Sequence, residues 1–105
     1  MRLLDLDAEF TRLSENGHRP GCSMAEAQGV IFWCPKCGEH YVLLWFKDHG
    51  VPDELKPGPG RWTPSGSGIA DLSLSPSVDL SKNEDGGAAT DGCKWHGWVK
   101  DGEAS

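Results

Sequence analysis

Val30-Ile31-Phe32-Trp33-Cys34-Pro35-Lys36-Cys37-Gly38-Glu39-His40-Tyr41-Val42-Leu43-Leu44-Trp45-Phe46 reads as an apolar run, a tight turn carrying two thiols, and a second apolar run. β-Branched and aromatic residues on both sides favour strands, and the short turn makes them an antiparallel pair. Cysteines separated by two residues can both face one ion, because the intervening backbone aims its N–H groups at the sulfurs and Gly38 tolerates positive φ. The stretch predicts a metal knuckle at the tip of a hairpin.

Zinc is the expected ion, and it takes four ligands. Cys93-Lys94-Trp95-His96 repeats the spacing, so Cys34, Cys37, Cys93 and His96 make a Cys3His set. Two residues compete for the fourth position. His40 follows Cys37 at the start of a strand; otherwise it is a polar strand end facing solvent or a group beside the metal. Cys22 is the other, and as a small buried apolar residue it needs no function. His18 and His49 lie in turn-rich segments and read as solvated.

A chain of 105 residues makes one domain, and a domain of that size buries roughly 65% of its unfolded surface. Only 37% of the residues are hydrophobic, so the core is thin and a metal crosslink matters. Structural zinc contributes on the order of 10–16 kcal/mol of apparent binding free energy, comparable with the stability of a whole domain. Folding is therefore expected to depend on metal.

The net charge of −6 and the absence of any run among the ten Lys and Arg argue against duplex nucleic acid, whose affinity comes largely from phosphate neutralisation. The N-terminus lacks a signal-peptide pattern, and no apolar stretch approaches about 18 residues. A soluble protein of the bacterial cytoplasm, without membrane contact, is the expectation. The paired C-x2-C and C-x2-H spacings favour metal over two disulfides.

Three zones follow: the knuckle hairpin at 30–46, a loop-rich insert at 47–92, and a closing strand with the second ligand pair at 93–105. Ahead of the hairpin, residues 1–13 carry both an alternating pattern (Leu4, Leu6, Ala8, Phe10) and a helical stripe (Leu3, Leu6, Phe10, Leu13); a strand is preferred because it gathers the acids on one face. Residues 14–21 read as turn chemistry. Ser23 and Glu26 match a capping box on one helical turn ended by Gly29. In the insert, Leu72-Ser73-Leu74-Ser75 alternates as a strand would, and residues 82–90 read as a mobile loop. Residues 94–100 suit a strand placing Trp95 and Trp98 on opposite faces, followed by a turn and a frayed end.

Five Trp are many for this length. Trp33 and Trp45 suit the core, while an exposed Trp near Arg61-Trp62 would serve as a contact surface for protein or a single-stranded base. A zinc deaminase requires His-x-Glu ahead of Pro-Cys-x-x-Cys, and a zinc protease helix requires His-Glu-x-x-His; neither occurs. An open metal site with Glu39, His40 or Asp91 as base is the remaining catalytic reading. Three thiolates oppose it by quenching the Lewis acidity of the ion.

LDLDAEF, MAEAQGVIFWCPKC, GVPDELKPGPGRWTPSGSG and GCKWHGWVKDGEA resemble a family of small zinc-binding proteins of phage and prophage origin. Members often carry the label ammonia monooxygenase, an activity of a large membrane copper complex that this chain does not match. More distantly, the order CPxCG, His, Leu-Ser-Pro-Ser-Val and Cys-x-x-His resembles a wider bacterial domain family, some copies of which sit beside ubiquitin-like conjugation genes. The resemblance implies zinc at Cys34, Cys37, Cys93 and His96 and a mostly β fold.

The sequence thus predicts a small, mostly β domain with a zinc-ribbon-like centre and long irregular loops. Its expected function is a non-enzymatic interaction module of phage origin, binding a host or phage protein. The alternative is a zinc-dependent hydrolase using His40 as ligand or base, and a third reading is single-strand nucleic-acid binding.

Overall fold

Strand alternation in the two apolar runs puts Val30, Phe32, Val42 and Leu44 on one face, and that face forms the core. The computed structural model describes residues 1–15, 17–55, 60–79 and 95–105. Its main sheet has four antiparallel strands in the order β2 (Gly17–Pro20), β1 (Glu9–Ser14), β3 (Gly29–Trp33) and β4 (Tyr41–Trp45). The register pairs Phe10 with Val30, Val30 with Leu44 and Phe32 with Val42, which keeps all five on the inner face. Each is buried, and each such side chain contributes roughly 1.5–3 kcal/mol.

Three antiparallel ribbons cover that face: β5 (Thr63–Ser65) with β6 (Ser73–Ser75), β7 (Val78–Asp79) with β8 (His96–Gly97), and β9 (Val99–Lys100) with β10 (Glu103–Ala104). They supply Leu72, Leu74, Val78, Trp95, Val99 and Ala104 to the core. Trp95 meets Phe32 edge-on at 5.9 Å between ring centres, joining β8 to the inner face of the hairpin. A parallel bridge between Phe46 and Trp62 returns the chain after the 47–61 segment. Gly29 is needed where it stands, because a Cβ there would lie 2.9 Å from the ring of Trp45 on the neighbouring strand.

The mostly β domain and the knuckle hairpin agree with the sequence reading. Residues 1–13 are instead divided: Leu3–Leu6 form a 3-10 turn ended by Asp7 at φ 52°, and β1 begins at Glu9. The helical stripe and the strand pattern were each correct over part of the segment. Residues 17–20, read as turn, form β2. At the predicted capping box, Ser23 Oγ bonds the Glu26 carboxylate at 3.2 Å rather than a backbone N–H, and Glu26 also pairs with Arg12 at 2.8 Å. The short turn ends at Ala27, ahead of Gly29.

The C-terminal segment is a tight hairpin, not a frayed end. Asp101 and Gly102 both adopt positive φ, 51° and 79°, as a two-residue primed turn requires. Leu3 N–H donates to the Gly102 carbonyl and Gly102 N–H to that of Leu72, which locks the hairpin against the N-terminal turn. The predicted mobile loop at 82–90 lies outside the described residues.

Candidate active site and metal knuckle

At the tip of the β3–β4 hairpin, Cys34 N–H donates to the His40 carbonyl and Gly38 N–H to that of Cys34, both at 2.8 Å. Gly38 takes φ 68°, the left-handed conformation this turn needs. Glu39 N–H points at Cys37 Sγ at 3.5 Å, the N–H···S arrangement that steadies a thiolate. Ligand atoms of Cys34, Cys37 and His40 lie within 4.8 Å of one another, close enough to bind one metal ion. Tetrahedral zinc, at about 2.3 Å to sulfur and 2.0–2.1 Å to nitrogen, suits such a donor set. His40 Nδ1 lies 3.2 Å from the Tyr41 carbonyl. An acceptor there requires the proton on Nδ1, which leaves the Nε2 lone pair for a metal.

His40, an alternate in the sequence reading, therefore stands with the two cysteines. Cys93 lies outside the described residues. Cys22 is a free thiol, partly buried against the core and separate from this group. Burial pushes its pKa above the ordinary value.

His96 is placed on β8, where burial follows the strand period. Trp95 and Val99 are buried, whereas His96, Trp98 and Lys100 are exposed. On the partner strand Val78 is buried, so Ser77 and Asp79 share the outward face. The antiparallel register sets Asp79 directly opposite His96. Ser77, Asp79 and His96 line one cavity of about 380 Å³, with Gly60, Arg61, Trp62 and Pro76 as its other walls.

Two buried or clasped side chains hold the walls in place. Trp62 is buried, and its indole N–H donates to the Ser77 carbonyl at 3.3 Å, fixing the backbone that carries the hydroxyl. The Arg61 guanidinium donates to the carbonyls of Gly60, Pro52 and Leu55 at 2.7–2.9 Å, gathering that loop against the cavity. A larger hollow of about 740 Å³ is lined by Leu4, Asp7, Ala8, Glu9, Pro20, Ile31 and Tyr41, with no serine, cysteine or histidine among these residues. The smaller cavity has the more reactive composition. A hydroxyl, an imidazole and a carboxylate on one face are the groups that nucleophilic acyl transfer uses.

Ser77 entered the sequence reading only within the Leu-Ser-Pro-Ser-Val segment of the resemblance, without a role, and Asp79 was not singled out. Ser77-Val78-Asp79 alternates and runs on from the end of that segment, but nothing in the pattern announces pairing with residue 96. Asp91, considered there as a base, lies outside the described residues.

Fold and sites together define a small β protein that combines a cysteine–histidine knuckle with a serine, histidine and carboxylate pocket. The family model "Bacterial ubiquitination-like system serine protease (BubE)" matches residues 10–105, nearly the entire chain, and the chain belongs to this family. Searches of curated proteins and of solved structures return no match. The family match overturns the expectation of a non-enzymatic phage interaction module, together with the zinc-hydrolase and nucleic-acid alternatives. Thiolate quenching argues against a metal-activated water, but it does not bear on a hydroxyl nucleophile elsewhere on the surface. Among the described residues no helix is long and apolar enough to cross a membrane.

Proposed function

We propose that the protein hydrolyses acyl bonds of a polypeptide, with Ser77 as nucleophile, His96 as general base and Asp79 as the carboxylate that orients the imidazole. The observation carrying this reading is the single cavity shared by the three side chains, with Asp79 and His96 in register across β7 and β8. The family description, a serine protease, supports the same chemistry. As Ser77 Oγ bonds the substrate carbonyl carbon, its proton passes to His96. His96 then gives that proton to the departing amine, leaving an acyl-serine. Water attacks the ester, its proton goes to His96, and the carboxylic acid and free Ser77 are released.

The family's ubiquitination-like system points to a protein substrate, a ubiquitin-like polypeptide or its conjugates. Zinc is the proposed ion at Cys34, Cys37 and His40. Cys93 is the proposed fourth ligand, since Trp95, two residues beyond it, packs on Phe32 beneath the knuckle. When bound, the ion crosslinks the hairpin to the strand that carries His96. The bacterial cytoplasm, which keeps thiols reduced, suits this ligand set.

Labelling with a fluorophosphonate followed by peptide mapping tests the assignment. Ser77 is expected to carry the label, and Ser77→Ala to lose both label and hydrolysis while Ser75→Ala keeps both. His96→Ala should lower turnover by about 10³-fold or more with zinc retained. Labelling at another serine, or zinc loss in His96→Ala, refutes these roles.

A further inference from the structure

Trp95, Trp62 and Trp45 are buried, whereas Trp98 is 54% exposed. A lone exposed apolar residue is ordinary on a protein surface, so exposure by itself says little; position decides the matter. The alternation that turns Trp95 and Val99 inward turns Trp98 outward with His96, and His96 stands opposite Asp79. Its backbone is fixed on the other edge: Trp98 N–H donates to the Ser105 carbonyl at 3.3 Å, and Ser105 N–H returns the bond at 3.0 Å. A main chain fixed in this way presents a large planar side chain to solvent two residues from His96.

We infer that Trp98 is a specificity-determining residue, receiving an apolar side chain of the extended polypeptide whose acyl bond lies at Ser77. This rests on the hydrolase reading above. Residues two apart in a strand are separated by roughly 6.5–7 Å. An extended substrate has the same period, so one that reaches His96 lays a side chain on its own near face about two residues from the scissile bond, over the indole. An indole has only two side-chain torsions, so it takes up apolar surface with little loss of side-chain freedom, which is why tryptophan is frequent at the centre of binding surfaces.

The test uses the full, zinc-loaded chain and glycine hexapeptides in which one leucine is walked through each position, with p-nitrophenyl acetate as a substrate too short to reach Trp98. Leucine at one position near the scissile bond is expected to raise kcat/KM by about tenfold or more. Trp98→Ala should erase that preference and leave ester turnover unchanged, and Trp98→Phe should restore most of it. Binding is read separately in Ser77→Ala, where the preferred peptide should shift tryptophan emission to the blue, and Ser77→Ala/Trp98→Phe should show no shift. A preference that survives in Trp98→Ala, or an absent emission shift with Trp98 in place, overturns the inference. Ester turnover that persists in Ser77→Ala refutes the hydrolase reading instead, so the two failures are distinguishable.

Discussion

Gly97 lies between His96 and Trp98, and a single methyl group there tests whether β8 is held as tightly as the catalytic assignment requires. A Cβ at this position would fall well inside contact distance of the Ser105 carbonyl oxygen and 2.9 Å from Trp95 Nε1. Its φ is not in the left-handed region, so alanine suits the backbone and would otherwise stabilise the fold by about 0.4–1 kcal/mol through the unfolded chain. The steric term opposes this. Its nearest obstacle is backbone hydrogen-bonded to Trp98, and Trp95 packs on Phe32, so neither yields cheaply. Overpacking of this kind costs about 1–3 kcal/mol. Relief requires β8 or β10 to shift by about 1 Å, and a shift of that size at a catalytic group costs about 10²-fold in rate. Gly97→Ala should therefore lower both the urea midpoint and kcat/KM while retaining zinc. Gly68→Ala is the control, because a Cβ at Gly68 meets nothing within 4 Å and its φ of −179° is open to any residue. A Gly97→Ala protein as stable and as active as the parent would refute the reasoning.

Chelation of metal should unfold the knuckle and loosen β8, with Cys34→Ser, Cys37→Ser and His40→Ala each losing zinc by elemental analysis; full zinc content in His40→Ala would remove it from the ligand set. A second expectation concerns acid. Asp71 accepts hydrogen bonds from Ser67 N–H, Ser67 Oγ–H and Gly68 N–H at 2.9–3.1 Å, which hold its carboxyl below the usual 3.8. A depressed folded-state pKa gives stabilisation that is complete above the unfolded value and is lost as pH falls through the folded one. Stability of the parent should thus decline below about pH 4 more steeply than that of Asp71→Asn in acid titrations followed by circular dichroism. Equal slopes would show that the carboxylate does not contribute.

What could be read from the sequence is what local pattern controls. Val30–Trp33 and Tyr41–Trp45 declare themselves by β-branched and aromatic content, and Cys34-Pro-Lys-Cys37-Gly38 declares the turn. The knuckle was therefore legible, and so was the inward and outward division of Trp95 and Trp98. The N-terminal segment was ambiguous because Leu3, Leu6 and Phe10 satisfy a turn and then a strand in succession. The Asp101-Gly102 hairpin was legible in principle, since Asp-Gly is a strong primed-turn signal, but the short flanking runs disguised it. Ser77 and His96 stood in the Leu-Ser-Pro-Ser-Val and Cys-x-x-His segments that carried the more distant resemblance, but their proposed pairing with Asp79 was not legible. Ser77-Val78-Asp79 is too brief for periodicity to register, and the meaning of its hydroxyl and carboxylate depends on a partner 17 residues beyond Asp79. C-x2-H spacing proposes His96 for the metal; the fold sets it opposite Asp79 in the β7–β8 register and also in a hollow with Pro35 and Lys36 of the knuckle.

The C-terminal hairpin has a bearing on how the protein is made. His96 faces Asp79 only once β8 has docked, and the strand that continues from it is secured through Ser105 to Trp98, Ala104 to the Met1 carbonyl, and Gly102 to Leu3 and Leu72. These bonds join residues synthesised early to residues synthesised late. While the nascent chain is still emerging from the ribosome, Ser77 and Asp79 precede His96, so the proposed catalytic set would be incomplete. On the proposed reading, peptide-cleaving activity would appear only after synthesis of this segment is finished, which would protect the hydrolase and its neighbours from premature turnover.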